Sequence, residues 1–534
     1  MPLTKKTIIS IFTTIILISS FSGCILEEWF GGRNLSLISW AIIDDDDFGS
    51  LNISFSSSAH LTIKLFGPNS LELDSEYFFR EKEDQYAILH MAESRHTILP
   101  GSYQVKAYNE GGSEIYSKSF SFSGADLSIN SCYQKWWERE AWIGGFSLLE
   151  LRLVVQNNGD VPSYPYYVKI TVDSEITTGN VIPCVIMPGE TDYVYCFIYL
   201  ESEPNESEFS IRLEDFDENL LASGSFPVNI RDDVQIKKFE WRYLGNRWIN
   251  LPKPEYLYDY YFDLDRINIE DYSLYIFSQY DDQYLDIVLD ALLFSYSGTK
   301  DIEKINYIAS FVQKAIKYEL DSEINESYEY PRYPIETLFY RKGDCEDLSI
   351  ITASLLNRLG YRVALLRLPN HMAVGVHLDE NELPYYNYYV DDYFYLETTT
   401  TTSSCGYVPS SYKSPLELSV YPITSRPLLI HNWKDGHLSI YSIDKKPTSV
   451  KVTIVVENLG VSTADNILVK GAFYSNYDQE INTETKTIDS LEPEMKEEVT
   501  LVCNIPLSIT TWFKTKIYHD NELIEEHQSI STFP

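Results

Sequence analysis

Basic residues are scarce in this sequence. Lys and Arg number 42 against 79 Asp and Glu, a formal charge of −37. Nucleic acid and anionic lipid surfaces both demand a basic face, so neither is expected as a partner. Instead the balance implies a solvated acidic surface that keeps the protein in solution. The run Asp44-Asp45-Asp46-Asp47 lacks the alternating ligands and glycine of a calcium loop and reads as an exposed turn. Metal motifs are missing too. The nine histidines are scattered and neither HExxH nor CxxC occurs, so metal-dependent hydrolysis of those kinds is set aside and no cofactor is expected. Beyond residue 24 no stretch is apolar for long enough to span a bilayer.

What is present begins with an address. Lys5-Lys6 precede an apolar stretch over residues 7–18, then small residues, then Cys24. This is the layout of a secretory signal peptide. The ending Phe21-Ser22-Gly23-Cys24 resembles a lipobox, which implies lipidation of Cys24. The expected location is therefore the cell surface, on the outer face of the cytoplasmic membrane, with the lipid anchor as the only membrane contact. Six further cysteines follow. Cys184 and Cys196 flank Pro188-Gly189 symmetrically, so a hairpin there sets them face to face, as a disulfide in an oxidising compartment or as two buried thiols.

A chain of 534 residues exceeds what one core supports, and three or four domains are expected. From about residue 35 to 123, short alternating runs are separated by turns such as Gly67-Pro68 and Pro100-Gly101, the pattern of an antiparallel sandwich. A second β segment, residues 125–232, has a counterpart at the C-terminus. Its run ending Gln156-Asn157-Asn158-Gly159 is echoed by Glu457-Asn458-Leu459-Gly460, and each is followed by a proline-containing turn and another strand. The stretch between them differs. Leu285, Val288, Leu289 and Leu292 recur at helical spacing, and a second helix is expected from an N-cap at Thr299 through Ile305, Ile308 and Val312. A third helix and a set of strands follow, giving an α+β domain.

Chemistry concentrates at Lys342-Gly343-Asp344-Cys345-Glu346-Asp347. Gly343 permits a tight entry, Asp344 is an N-cap and Asp347 stands three residues on, as in a capping box. The helix is expected to bury Leu348, Ile351, Leu355 and Leu359 and to stop at Gly360. Cys345 then lies in the first turn, where the helix dipole and unpaired N–H groups favour a thiolate and its oxyanion products. Asp344, Glu346 and Asp347 oppose that thiolate, so a histidinium partner is required. After Gly360 comes a strand, then Asn370-His371-Met372-Ala373-Val374-Gly375-Val376, then an aromatic strand ending Tyr395-Leu396-Glu397-Thr398.

A Gly-x-Cys at a helix start, a His opening a strand and an acid closing the next resemble the transglutaminase/protease superfamily, and the particular motifs resemble its archaeal surface branch. The resemblance implies Cys345 as nucleophile, His371 as the base that becomes acid, and Glu397, where Asp is usual, orienting the imidazole. Asp391, on the same face if the strand runs straight through, is the fallback acid. Cys405, shortly after the acid, is a candidate to cap Cys345 as a disulfide. The strand–Asn–x–Gly repeats resemble CARDB-type immunoglobulin-like modules. The expected fold is multidomain: an α+β papain/transglutaminase-like domain flanked by all-β immunoglobulin-like sandwiches. Its parts are a lipoprotein-type signal peptide (1–23), a β-sandwich (24–124), a CARDB-like sandwich (125–232), the transglutaminase-like domain (233–431) and a second CARDB-like sandwich (432–534). The implied function is thiol chemistry on peptide or side-chain amides of a surface protein or peptide substrate, with hydrolysis favoured over cross-linking. The competing reading is an idle surface adhesion protein.

Overall fold

The computed structural model describes residues 35–79, 84–139, 144–267, 269–321, 329–379, 384–386, 388–409, 418–436, 438–443, 446–506 and 508–533. The expected signal peptide and Cys24 lie outside the described residues. Among the described residues no helix is long and apolar enough to cross a membrane.

The chain divides into two compact units. The first holds a three-stranded sheet, Leu35–Asp45, Phe48–Ser57 and Gln85–His90, and a four-stranded sheet in the order Glu72–Phe78, Leu61–Phe66, Gly101–Asn109, Glu114–Phe122. Alternation decides what is buried: Leu61, Ile63 and Leu65 point inward, as do Tyr103, Val105 and Ala107 on the neighbouring strand.

The second unit contains everything from Ser123 onward, together with Ala92–Leu99 and Asp46–Phe48. Two antiparallel sheets come first. One pairs Thr191–Leu200, Phe146–Asn157 and Leu127–Glu138, and the other runs Glu175–Asn180, Tyr167–Val172, Glu208–Glu214, Leu220–Pro227. They share a core that includes Leu151, Leu153, Val155, Ile170, Val194 and Ile211. At the C-terminal end Lys446–Asn458 pairs with Leu429–Trp433, Ser439–Ile443 and Lys496–Asn504. Across a shared core lies the sheet Glu480–Leu491, Ala464–Ser475, Thr511–His519, Glu522–Gln528. Strand Leu429–Trp433 crosses the expected boundary at residue 431, because its pairing partners 454–458 belong to the C-terminal sheets.

The repeated Asn-x-Gly has one structural meaning in both places. Asn157 is fully buried; its Nδ2 donates to the carbonyls of Val161 (2.8 Å) and Ile186 (2.9 Å), and its Oδ1 accepts from Gly159 N (2.9 Å) and Asp126 N (3.3 Å). Asn458 repeats the set with Ser462 O (2.9 Å), Leu491 O (3.0 Å), Gly460 N (3.0 Å) and Leu428 N (3.2 Å). Each glycine is needed for close approach. A Cβ on Gly159 would lie 2.2 Å from Gly124 O, and one on Gly460 2.3 Å from Arg426 O.

Between these sheets, among the described residues, lie a hairpin, Ile236–Arg242 with Asn246–Pro252, and the helices α1 (Glu255–Asp263), α2 (Leu274–Phe277), α3 (Asp282–Leu293), α4 (Asp301–Ala315), α5 (Pro334–Tyr340) and α6 (Cys345–Arg358). A five-stranded antiparallel sheet follows, in the order Tyr389–Val390, Tyr393–Leu396, His371–Val376, Val363–Leu368, Ser419–Pro422. Helix α4 begins later than expected. Its N-cap is Lys300, without a side-chain cap, so Thr299 does not serve. Helix α6 is buried on nearly every side, from Glu346 through Leu356, rather than on one stripe. It packs against α3, α4 and α5 as well as the strands, and a helix enclosed all round needs no polar face. It ends as expected, with Gly360 at φ 84°.

Replacing Asn157 or Asn458 by Ala removes four hydrogen bonds, among them the one to Val161 O or Ser462 O. The loss is expected to cost about 1–3 kcal/mol, read as a drop in urea-unfolding stability. A loss within error of zero would show that the two asparagines are not what holds these turns.

Candidate active site

Three devices place Cys345. Lys342-Gly343 runs parallel to Lys317-Tyr318, which fixes the approach to α6. The Asp347 carboxylate, wholly buried, accepts from Arg332 N (2.8 Å), from the Arg332 guanidinium and from Asp344 N (3.3 Å). Gly343 lies so close that a Cβ there would stand 2.6 Å from Asp347 Cβ. Cys345 is thus held at the first residue of the helix, partly buried, its thiol donating to Glu346 Oε2 at 3.3 Å. Burial, then the charges of Glu346 and Asp344, push that thiol well above its ordinary range, while the Met372 N–H works the other way.

His371 follows a two-residue turn, in which Asn370 takes φ 59°, and pairs with Leu368 at the start of its strand. Its Nε2 lies 3.1 Å from Glu397 Oε2. The strand register explains the meeting. Val374 pairs with Leu396, so one step further Glu397 falls beside Ala373, which shares a face with His371. Glu397 is itself fixed: Tyr395 OH donates to Oε2 (2.9 Å), and Thr399 donates to Oε1 through its N (3.0 Å) and Oγ1 (2.6 Å). Gln313 on α4 donates to the Glu397 carbonyl at 2.7 Å. Burial alone would raise this carboxyl, but its bonds to His371 and Thr399 and the imidazole charge outweigh it, lowering the pKa to about 2.

Other sequence expectations fare differently. Asp391 is exposed and stands in a tight turn at φ 49°, between Val390 and Tyr393. The aromatic run is two short strands folded on each other, not one continuous strand, so Asp391 does not share the face of Glu397. Cys184 and Cys196 are free thiols. Cys196 stands opposite Leu151 on one side and Val181 on the other, and Cys184 is three residues past that bridge. The run before Pro188 is irregular, so no hairpin faces the two sulfurs. Cys345 and Cys405 are also free, and Cys405 is buried. Sequence reasoning passed over Tyr395, Thr399, Gln313 and Arg332. Tyr395 was within reach, since alternation puts it on the face of Glu397. Gln313 and Arg332 carry no local signal.

With this geometry in view, comparison with known proteins adds one finding. Residues 293–370 match the Transglut_core family model of the transglutaminase-like superfamily. The matched segment of this transglutaminase-like domain includes α4, α5, Cys345 and the first strand, and stops one residue short of His371. Among solved structures, red sea bream transglutaminase overlays at TM-score 0.18 with 10% identity, over 72% of this chain and 80% of that one. The YadV chaperone overlays at TM-score 0.13 with 11% identity, over 37% and 100%. Both values are too low to bear on fold or activity. Among curated proteins no match was found.

The lowered pKa of Glu397 in the transglutaminase-like domain has a stability consequence. A carboxyl held at about 2 in the folded chain, against 4.5 ordinarily, stabilises the fold above the higher value, and that contribution is lost as pH falls through the window. The stability gap between the native protein and Glu397→Gln is therefore expected to narrow from pH 4.5 to 2, measured by chemical unfolding at each pH. A gap independent of pH would show that the carboxylate charge is not what the site uses.

Proposed function

We propose that this chain is a cell-surface thiol enzyme acting on peptide or side-chain amides through Cys345, His371 and Glu397. The observation that carries the reading is the His371–Glu397 contact, with Glu397 braced by Tyr395 and Thr399 and with the neighbouring Met372 N–H at the Cys345 sulfur. Glu397 engages Nε2, which turns Nδ1 to the task of proton transfer. In the proposed cycle Sγ attacks the amide carbonyl as its proton passes to His371. The tetrahedral oxyanion is stabilised by N–H groups at the start of α6. The imidazolium then protonates the leaving amine, and a thioester remains. Water, deprotonated by His371, attacks the thioester and expels the thiol, giving hydrolysis; an amine in its place gives a cross-link. Hydrolysis is the favoured outcome, as the resemblance to prokaryotic members of the superfamily implies.

Residues 1–24 support a lipid anchor at Cys24, and the two paired-sheet blocks with matching Asn-x-Gly turns support immunoglobulin-like, CARDB-type modules around the enzyme. One observation favours the adhesive alternative: the thiol is raised by burial and acidic neighbours, the opposite of an activated nucleophile.

Iodoacetamide labelling across pH 5–9, with hydrolysis of a peptide library alongside, separates the two. Cys345→Ser is expected to abolish both, and His371→Ala to lower turnover by about 10²–10⁴-fold. Labelling no faster than a free thiol, with no turnover, would leave the adhesive reading.

A further inference from the structure

Two imidazoles and a carboxylate meet in the C-terminal pair of sheets, outside the segment that matches the transglutaminase-like family. His431, on strand Leu429–Trp433, is wholly buried. Glu525, 94 positions on, stands two residues before His527 on strand Glu522–Gln528, so alternation puts both on one face. The carboxylate bridges the two rings. Its Oε2 lies 2.9 Å from His431 Nδ1 and accepts from His431 N at 2.6 Å, while Oε1 lies 3.3 Å from His527 Nε2. The ring centroids are 4.4 Å apart. The far side of His431 is held as well: Nε2 meets Thr515 Oγ1 at 2.9 Å, and Trp433 Nε1 donates to the same oxygen at 2.8 Å. Burial would raise the Glu525 carboxyl, but its hydrogen bonds with both histidines bring the pKa down to about 2, so it is an anion at neutral pH. The side chains of Glu525 and His527 are 30% and 35% exposed, which leaves the cluster open to an ion from solvent.

We propose that His431, Glu525 and His527 form a binding site for a borderline transition-metal ion, zinc in the first instance, which ties the two C-terminal sheets together. Two imidazole nitrogens and one carboxylate are a donor set that zinc takes, with water in the fourth place. Calcium and magnesium take shells of oxygen, so the imidazoles disfavour them. Donors at about 2.0–2.1 Å on a tetrahedral ion stand about 3.3–3.4 Å apart. The carboxylate already lies 2.9 and 3.3 Å from the two imidazoles, so small side-chain movements bring these donors onto one ion. Thr515 is the outer support: its hydroxyl oxygen can accept the Nε2 proton of His431 and leave the Nδ1 lone pair to the metal. On binding, the proton between Nδ1 and Glu525 leaves to solvent and the ion takes its place. Among the described residues, each of the two strands stands at the end of its sheet order, held by one neighbour. A metal bridge between them adds the cross-link that backbone pairing does not supply. HExxH and CxxC place their ligands close together in sequence, whereas these donors come from strands 94 positions apart. Binding does not depend on the chain being an active enzyme, so it stands or falls separately from the reaction proposed above.

The test is zinc titration of the full-length chain after chelation, by isothermal titration calorimetry with thermal unfolding in parallel. Cys345→Ser is the parent, so that this thiol does not compete for the metal. Cobalt(II) is the second probe, since its visible absorption reports four-coordinate nitrogen and oxygen ligation. His527→Gln and Glu525→Gln each remove one donor at a partly exposed position, and both should unfold cooperatively without zinc, which shows that they fold. The expected result is one saturable site whose affinity falls by about tenfold or more in either variant. Zinc should raise Tm in the parent and not in the variants. Zinc bound equally well by parent and variants would place the ion elsewhere on the acidic surface and overturn the proposal. So would the absence of saturable binding to the parent, which would mean that the hydrogen-bonded array is complete without a metal.

Discussion

The start of α6 depends on one buried carboxylate. Asp347 ties the backbone and guanidinium of Arg332 to the N-terminus of α6, and Gly343 has no Cβ because Asp347 occupies the space. These contacts fix where the helix begins and so where Cys345 stands. A carboxylate in such a position is costly to desolvate, and burial raises its pKa even with Arg332 against it. The structure meets that cost with a single guanidinium shared between Asp347 and Asp321.

On the other side of the site the electrostatics run in the opposite direction. Glu397 is equally buried, yet it is an anion at neutral pH because Tyr395, Thr399 and His371 all direct donors at it. Two buried acids within one domain thus shift in opposite directions. Burial raises both, but Asp347 has the charges of Asp344 and Asp321 beside it, whereas Glu397 has the imidazole and the Thr399 donors. A carboxylate anchored in this way fixes the orientation of the His371 ring through Nε2.

The wider unit is joined by a comparable device. Glu494, in the turn that Asn458 organises, accepts from Tyr280 OH (2.7 Å) and Tyr166 OH (3.2 Å), and Arg95 approaches it at 3.9 Å. Gln279 in turn donates to Tyr166 OH at 2.9 Å. One carboxylate therefore links the helical domain to both flanking pairs of sheets. The hydrophobic core is continuous across the first of those junctions, where Leu149 and Phe197 pack with the helices.

Local pattern in the sequence was enough for the helices α3 and α6, the alternating strands, the Asn-x-Gly turns and the placing of Cys345 at a helix start. Each of these depends on residues within a few positions of one another, through helical period, strand alternation, a cap or a glycine. Helices α1 and α5 escaped notice because both are short, at nine and seven residues, and draw their burial from distant partners. The aromatic run misled for a related reason: strand propensity is the same on either side of the turn at Asp391, and only pairing reveals the fold-back. Cys184 and Cys196 look symmetric in the sequence, yet register against a third strand sets them apart. Glu397 was found by motif, but its ionisation was not, since that depends on Thr399, Tyr395 and His371 meeting in space. The sequence by itself determined where the cysteine, the histidine and the acid stand on their helix and strands, and which strands repeat. Tertiary structure alone decided which distant partners those residues meet, because some of their hydrogen bonds come from far along the chain, such as His371 for Glu397 and Tyr280 for Glu494.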